Sequence, residues 1–127
     1  MTTRNGVQTV TNDYRVPVAE LDRIRAALAI QLIATATGVS AERITARRHR
    51  GSRACRARWL ALYLAHIAFG WPLERVGHAF GLNRATVSAA CRWVEDERDR
   101  ASLDVWLDRL EACARDICDA PACELPT

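Results

Sequence analysis

The stretch Leu73–Arg92, LERVGHAFGLNRATVSAACR, decides the fold, because its small residues have the spacing of a helix-turn-helix. Gly77 is the fifth of these twenty positions, where the two helices cross and only a small residue leaves room for the second backbone. Gly81 is the ninth, where the first helix must end in a left-handed residue that glycine adopts without a Cβ clash. Asn83 can cap the second helix, since its side-chain oxygen can accept a backbone N–H.

The same register divides the stretch into an inner and an outer face. The residues expected to form a small core are Val76, Phe80, Leu82, Val87 and Ala90. The residues expected to point outward on the second helix are Arg84, Ala85, Ser88, Ala89 and Arg92. Such an outer face could enter a major groove. The alternative interpretation is two ordinary amphipathic helices joined by a glycine turn.

Charge is distributed unevenly along the chain. The 127 residues have a net charge of +3, and all 18 basic residues are arginine. Seven arginines lie within residues 43–58, which contain no acid. From Glu95 onward the chain has ten acids and only four arginines. This dipolar layout is typical of a protein that turns one face to a polyanion.

Several classes of function are disfavoured by the composition. No apolar run approaches the roughly 20 residues of a membrane span, and the first residues, MTTRNGVQTV, lack the apolar region of a signal peptide. We therefore expect a cytoplasmic protein that makes no membrane contact.

Five cysteines without an export signal favour reduced thiols, and their spacing favours neither a metal site nor a cofactor. No phosphate loop, GxSxG elbow or paired carboxylates are recognisable, so the chain is predicted to be non-enzymatic.

The rest of the chain is predicted to be one all-α domain of about six helices. We expect a flexible arm over residues 1–15, a helical domain over 16–119 and a tail over 120–127. The periodicity predicts a first helix from Pro17 to Thr37, whose core-facing residues would be Leu21, Ile24, Leu28, Leu32 and Ile33. The helices predicted to follow it are Ala41–Thr45 with Ser40 as its cap, Ala54–Phe69, the helix-turn-helix at 73–92 with its second helix continuing to about Arg98, and a last helix at 102–118 capped by Ser102.

A basic segment precedes the helix that must support the helix-turn-helix. Arg47–Arg53, RRHRGSR, has no apolar residue and is predicted to be a loop. Our hypothesis is that its arginines, Arg47, Arg48, Arg50 and Arg53, lie on phosphates or in a minor groove. The alternative is a solvated loop without a partner.

The last predicted helix carries an apolar stripe made of Leu103, Trp106, Leu107, Leu110, Ala114 and Ile117. The stripe could close the core of the domain. Alternatively, it could be a docking surface for a second copy or for a partner such as RNA polymerase or another regulator.

From about Leu32 to Glu97 the chain resembles the C-terminal DNA-binding domain of the bacterial replication initiator DnaA, a helix-turn-helix of the Trp-repressor-like group. The shared order is a short helix, a basic loop, a long helix ending in a run like Leu62-Tyr63-Leu64, a helix like Leu73–Phe80, and the helix that contacts bases. The resemblance implies binding to double-stranded DNA. It also implies a free-standing module, since the initiator's AAA+ domain has no counterpart here, and some activators of gene transfer agent clusters are modules of this type.

The base-reading signature departs from that of the family. The family has G-G-R-D-H-T-T-V-L-H-A, whereas residues 81–90 read GLNRATVSAA, one residue shorter. When the two are aligned on Val87, Asn83 replaces the family's Asp, Arg84 its His and Ala85 its first Thr, while Thr86 and Val87 match. The resemblance therefore implies DNA binding but not recognition of the initiator's own box.

Together these features predict a sequence-specific regulator of transcription. Its major-groove contacts would come from Asn83, Arg84, Ala85, Thr86, Ser88, Ala89 and Arg92. Arg75 is an expected phosphate contact, and Thr86 could also touch a phosphate. The alternatives are an accessory factor at replication origins and a protein-interaction module that uses the helix-turn-helix and the last helix. The target sequence and the choice between monomer and dimer stay open.

Overall fold

The structure, a computed structural model, describes residues 17–46 and 51–126, and it contains six helices and no strand within those ranges. The helices are α1 (Glu20–Thr37), α2 (Ala41–Thr45), α3 (Gly51–Ala68), α4 (Leu73–Phe80), α5 (Arg84–Glu97) and α6 (Ala101–Asp119). The prediction of an all-α domain is confirmed. The expected N-terminal arm, 1–15, and the basic residues Arg47, Arg48 and Arg50 lie outside the described residues.

The third helix is the centre of the domain, and the five other helices pack against it or against each other around it. Residues 60–65 of α3 are all buried, because neighbours cover this helix on several sides. Its N-terminus differs from the prediction, since Arg53 lies in the first turn of α3 and not in a loop. The Arg53 guanidinium donates a hydrogen bond to the carbonyl of Thr37, so this turn is attached to the end of α1.

The first helix packs through only part of the predicted face, since Ile33 is fully buried and Leu32 packs against the core as predicted. Leu21 and Ile24, which were expected in the core, are 54% and 57% exposed. The residues that α1 buries are Ala26, Ala29 and Ile33. Small side chains let α1 pack closely on α3, and this contact turns the N-terminal leucine and isoleucine away from the core.

The sixth helix closes the core from the C-terminal side. It begins at Ala101 after Arg100, so the prediction that Ser102 caps it is wrong by two positions. Leu107 and Ala114 are fully buried, as expected of residues that close the core, but Ile117 of the same predicted stripe is 63% exposed.

A charged network joins the end of α5 to α6, around Arg98. The Arg98 guanidinium lies 2.6 Å from an oxygen of each of three carboxylates and 2.9 Å from a phenol oxygen, namely those of Asp104, Asp108, Glu111 and Tyr63. Tyr63 in turn donates a hydrogen bond of 2.7 Å to Glu95. Burial and that bond raise the pKa of Tyr63 to about 12, so the phenol stays protonated and keeps donating. The network fixes the junction between the two helices.

Candidate nucleic-acid interface

The crossing of α4 and α5 depends on the absence of a side chain at Gly77. A Cβ built there would lie 2.5 Å from the backbone oxygen of Leu82, closer than a Cβ approaches any non-bonded atom in folded proteins. Val76, Val87 and Ala90 are buried beside the crossing, and Phe80 and Leu82 pack against the same core. The helix-turn-helix register predicted from the sequence is confirmed.

The turn between the two helices is built from Gly81 and Asn83. Gly81 has a φ of 72°, and the next backbone N–H, that of Leu82, donates to the oxygen of Gly77 at 2.8 Å. The Asn83 side-chain oxygen accepts from the N–H of Thr86 at 2.8 Å, so its predicted role as N-cap is confirmed.

This cap limits the hydrogen bonds that Asn83 can form with a base. Asparagine recognises adenine with both its oxygen and its NH₂ group, and here the capping bond already uses the oxygen. The cap uses one of the two lone pairs of that oxygen and fixes the direction of the amide, and both amide N–H donors stay available for a base.

The outer face of α5 combines small and basic side chains. Arg84, Ala85, Ala89 and Arg92 are exposed, and Ser88 is half-buried beside them. The methyl groups of Ala85 and Ala89 project little, so the helix backbone can come close to base edges between the two arginines. Arg92 donates to the Ser88 hydroxyl at 3.1 Å, which aligns the guanidinium along the helix. These sequence-predicted residues share one surface.

Arg84 has a neighbour that the sequence analysis did not identify. Its Nε atom lies 3.2 Å from a carboxylate oxygen of Glu74, at the start of α4. Both side chains are exposed, so the pair contributes little stability. Its effect is to hold the Arg84 side chain next to the start of α4.

The charge of the outer face changes sign along α5. Asp96 follows Arg92 by one turn on the same face and is exposed, as is Glu95 beside it. These carboxylates repel phosphates, whereas the arginines nearer the N-terminus attract them. The arrangement therefore favours contact with a polyanion through the N-terminal half of α5.

Arg75, predicted to contact phosphate, is engaged within the domain. Its guanidinium donates two hydrogen bonds to Asp22, at 3.0 and 2.8 Å, and lies 4.7 Å from the centre of the Trp71 ring. The hydrogen bond from Arg75 lowers the pKa of Asp22, and the same bond raises the pKa of Arg75. A phosphate could bind Arg75 only by sharing or replacing Asp22. No local pattern in the sequence indicates this pair, because its members are 53 residues apart.

A basic side chain of α3, that of Arg56, lies on the flank of α5. Arg56 is exposed one turn beyond Arg53, and it lines a depression of about 340 Å³ together with Trp93 and Arg100. Arg56 belongs to the arginine-rich run at 43–58, but the sequence analysis assigned it no role. Within the described residues, no set of three His, Cys, Asp or Glu side chains could hold a metal ion, and no helix is long and apolar enough to cross a membrane.

Comparison with known families identifies the domain. The model of the bacterial DnaA protein helix-turn-helix matches residues 26–94, more than half of the chain. The chain belongs to this family. The DnaA-type match spans most of α1, all of α2, α3 and α4, and most of α5, and it includes the crossing at Gly77. Membership makes the chain a DNA-binding helix-turn-helix domain with double-stranded DNA as its partner.

A solved structure supports the DnaA assignment. The chain is similar to the crystal structure of a DNA replication initiation factor, with 27% sequence identity and a TM-score of 0.65. The similarity covers 75% of the present chain but only 29% of the initiation factor. The chain thus spans less than a third of that protein. No curated protein matches the chain.

Proposed function

We propose that this DnaA-type domain binds specific sequences in double-stranded DNA and regulates transcription from the sites it binds. The observation that carries the proposal is the outer face of α5, where Arg84 and Arg92 flank two alanines on a helix whose opposite face is buried. A helix of this kind can lie in a major groove with its N-terminal residues at the base edges.

The residues assigned to base contact are those of this face and its cap: Asn83, Arg84, Ala85, Thr86, Ser88, Ala89 and Arg92. Asn83 contributes its amide donors, while an arginine can form two hydrogen bonds with a guanine. Thr86 is exposed beside the face and has a hydroxyl for either a base or a phosphate.

The residues assigned to the DNA backbone or minor groove are Arg47, Arg48, Arg50 and Arg53. Arg53 is exposed in the first turn of α3, and its hydrogen bond to the carbonyl of Thr37 uses one of five guanidinium N–H donors, which leaves others for a phosphate. Arg75 joins the set where a phosphate replaces Asp22.

A second candidate function is that of an accessory factor at replication origins. It is favoured by the similarity to a DNA replication initiation factor. The one-residue shortening of the base-reading signature favours the first candidate, since it alters the side chains at the positions that contact bases in the family.

Two steps test the proposal. A mobility-shift assay with a random duplex pool should show binding that decreases as salt is raised, and selection from the pool should then yield one motif. The absence of binding at low salt would contradict DNA binding altogether. A selected motif located at promoters would support transcriptional regulation, whereas clusters at the replication origin would support the second candidate.

A further inference from the structure

The sixth helix has an apolar edge that its own domain covers only in part. Its apolar residues form two strips, one of which, Leu107 and Ala114, is fully buried. The second strip consists of Trp106, Leu110, Cys113 and Ile117, with spacings of four, three and four residues. This is the spacing of a coiled-coil seam. The first two members are half-buried and the last two exposed, and Ile117 is 63% exposed.

Two opposite charges lie on the solvent side of this second strip. Arg109 and Asp116 are both exposed and are seven residues apart, or two helical turns. Neither forms an ion pair with another residue in the described part of the chain. The acids on the other side of the helix, by contrast, are held by Arg98.

The second strip and its two flanking charges form a self-complementary surface, so two copies of α6 can pair through it. If two α6 helices pair in antiparallel orientation about a two-fold axis between Leu110 and Cys113, Arg109 of each copy lies beside Asp116 of the other. The two apolar strips then cover each other, and both ion pairs form at once. Parallel pairing would set Arg109 against the buried Ala114 and would form neither ion pair.

We propose that the second strip of α6 is the interface of a homodimer, and that its occupant is a second copy of this chain in antiparallel orientation. The strip is short compared with the roughly 800 Å² that each partner buries in a stable complex, so the dimer is weak and depends on concentration. Two half-sites on one DNA duplex would raise the effective concentration and strengthen it. The proposal does not depend on the proposed function, because the charges and the strip lie away from α5.

Analytical ultracentrifugation over a wide concentration series, with charge reversals, tests this pairing. Wild-type protein should shift from monomer to dimer as concentration rises. Arg109→Asp and Asp116→Arg should each weaken association about tenfold, because each turns two attractions into two repulsions. The double variant should restore association to near the wild-type level, which a non-specific contact would not do. Asp119→Arg is the matched control, since it makes the same charge change on α6 outside the strip, and it should leave association unchanged.

Ile117→Asp should keep the protein monomeric at all concentrations with little change in melting temperature, because Ile117 contributes little to the core. Wild-type protein that stays monomeric at the highest concentration would overturn the proposal. So would a double variant that associates no better than the single ones. Binding of these variants to an isolated half-site should be unchanged, so a failure of the dimer is distinguishable from a failure of DNA binding.

Discussion

At the scale of single residues, Gly77 has the largest effect on the interface. Glycine within a helix costs about 1 kcal/mol relative to alanine, so helix propensity alone disfavours it. The presence of glycine in α4 is explained by the Leu82 carbonyl, which occupies the space that a Cβ would need. The blocking atom belongs to the backbone of the turn, so it can move only if the turn itself moves.

Gly77→Ala should therefore lower the free energy of unfolding by about 1–3 kcal/mol, although alanine is the better helix former. Gly77→Val should lower it at least as much, since it adds branched methyl groups at the same place. Thermal or urea denaturation measures the change, and DNA affinity should decrease in parallel. A variant Gly77→Ala that melts at a higher temperature than wild type would show that helix propensity governs this position and that the crossing is not tight.

Predictions from the sequence succeeded where the determining contact is local. The left-handed turn at Gly81 and the cap at Asn83 depend on residues within a few positions, so composition and spacing were sufficient. Leu21 and Ile24 show the limit, because a helical period reveals an apolar face but not which part of it the neighbouring helix covers. The pairing of Arg75 with Asp22 depends on how α1 lies against α4, which no local pattern determines.

At the scale of helices, two ion-paired contacts hold the elements around the interface. Arg75 and Asp22 connect α4 to α1, and the Arg98 network connects α5 to α6. The first contact is partly exposed and the second is largely buried. Breaking the second should therefore lower the free energy of unfolding more than breaking the first.

The contact between α1 and α4 should depend on pH. Its hydrogen bond lowers the pKa of Asp22 below the usual 3.8, so the stabilisation is complete above that value and is lost as pH falls through the lowered pKa. Asp22→Asn should lower the free energy of unfolding by about 0.5–1 kcal/mol at neutral pH, and the difference from wild type should vanish in strong acid. Urea denaturation at several pH values measures this, with Glu20→Gln as a control in the same first turn of α1. A difference of equal size at neutral and strongly acidic pH would contradict the role of the charge.

The contact between α5 and α6 should be more costly to break. Arg98→Met leaves Glu111, which is 6% exposed, without its cation and should lower the free energy of unfolding by about 3 kcal/mol. Replacing both residues, as Arg98→Met with Glu111→Leu, should recover a large part of that loss because no buried charge is left unpaired. Urea denaturation of the two variants makes the comparison. A double variant no more stable than the single one would show that the carboxylate of Glu111 is not the source of the cost.

At the scale of the whole molecule, basic and acidic residues concentrate in different parts of the sequence. The arginine-rich segment and the N-terminal half of α5 carry the positive charge, while the end of α5 and α6 carry most of the acids. The exposed acids at the end of α5, such as Asp96, would repel a DNA duplex, so we expect this separation to orient the domain on DNA.

Affinity for DNA should therefore depend strongly on salt. If roughly five to eight phosphates are neutralised, a log–log plot of the binding constant against salt concentration should have a slope of about −4 to −7. Fluorescence anisotropy with a random-sequence duplex gives this slope. A measurable complex whose slope is near zero would eliminate the electrostatic contribution of the basic segment.

We infer that α5 recognises the DNA sequence while the basic segment provides general affinity. Selection of binding sites from a random duplex pool distinguishes these two roles. Arg84→Ala should reduce the preference at one or two positions of the site, since a bidentate arginine–guanine contact gives about 1–3 kcal/mol of discrimination. Arg48→Ala combined with Arg50→Ala should weaken binding to all duplexes alike and make the salt slope less steep by up to about 2. Arg115→Ala on α6 is the control, and it should change neither property. A selected sequence that changes with the Arg48 and Arg50 substitutions but stays the same with Arg84→Ala would show that α5 is not the element that recognises the sequence.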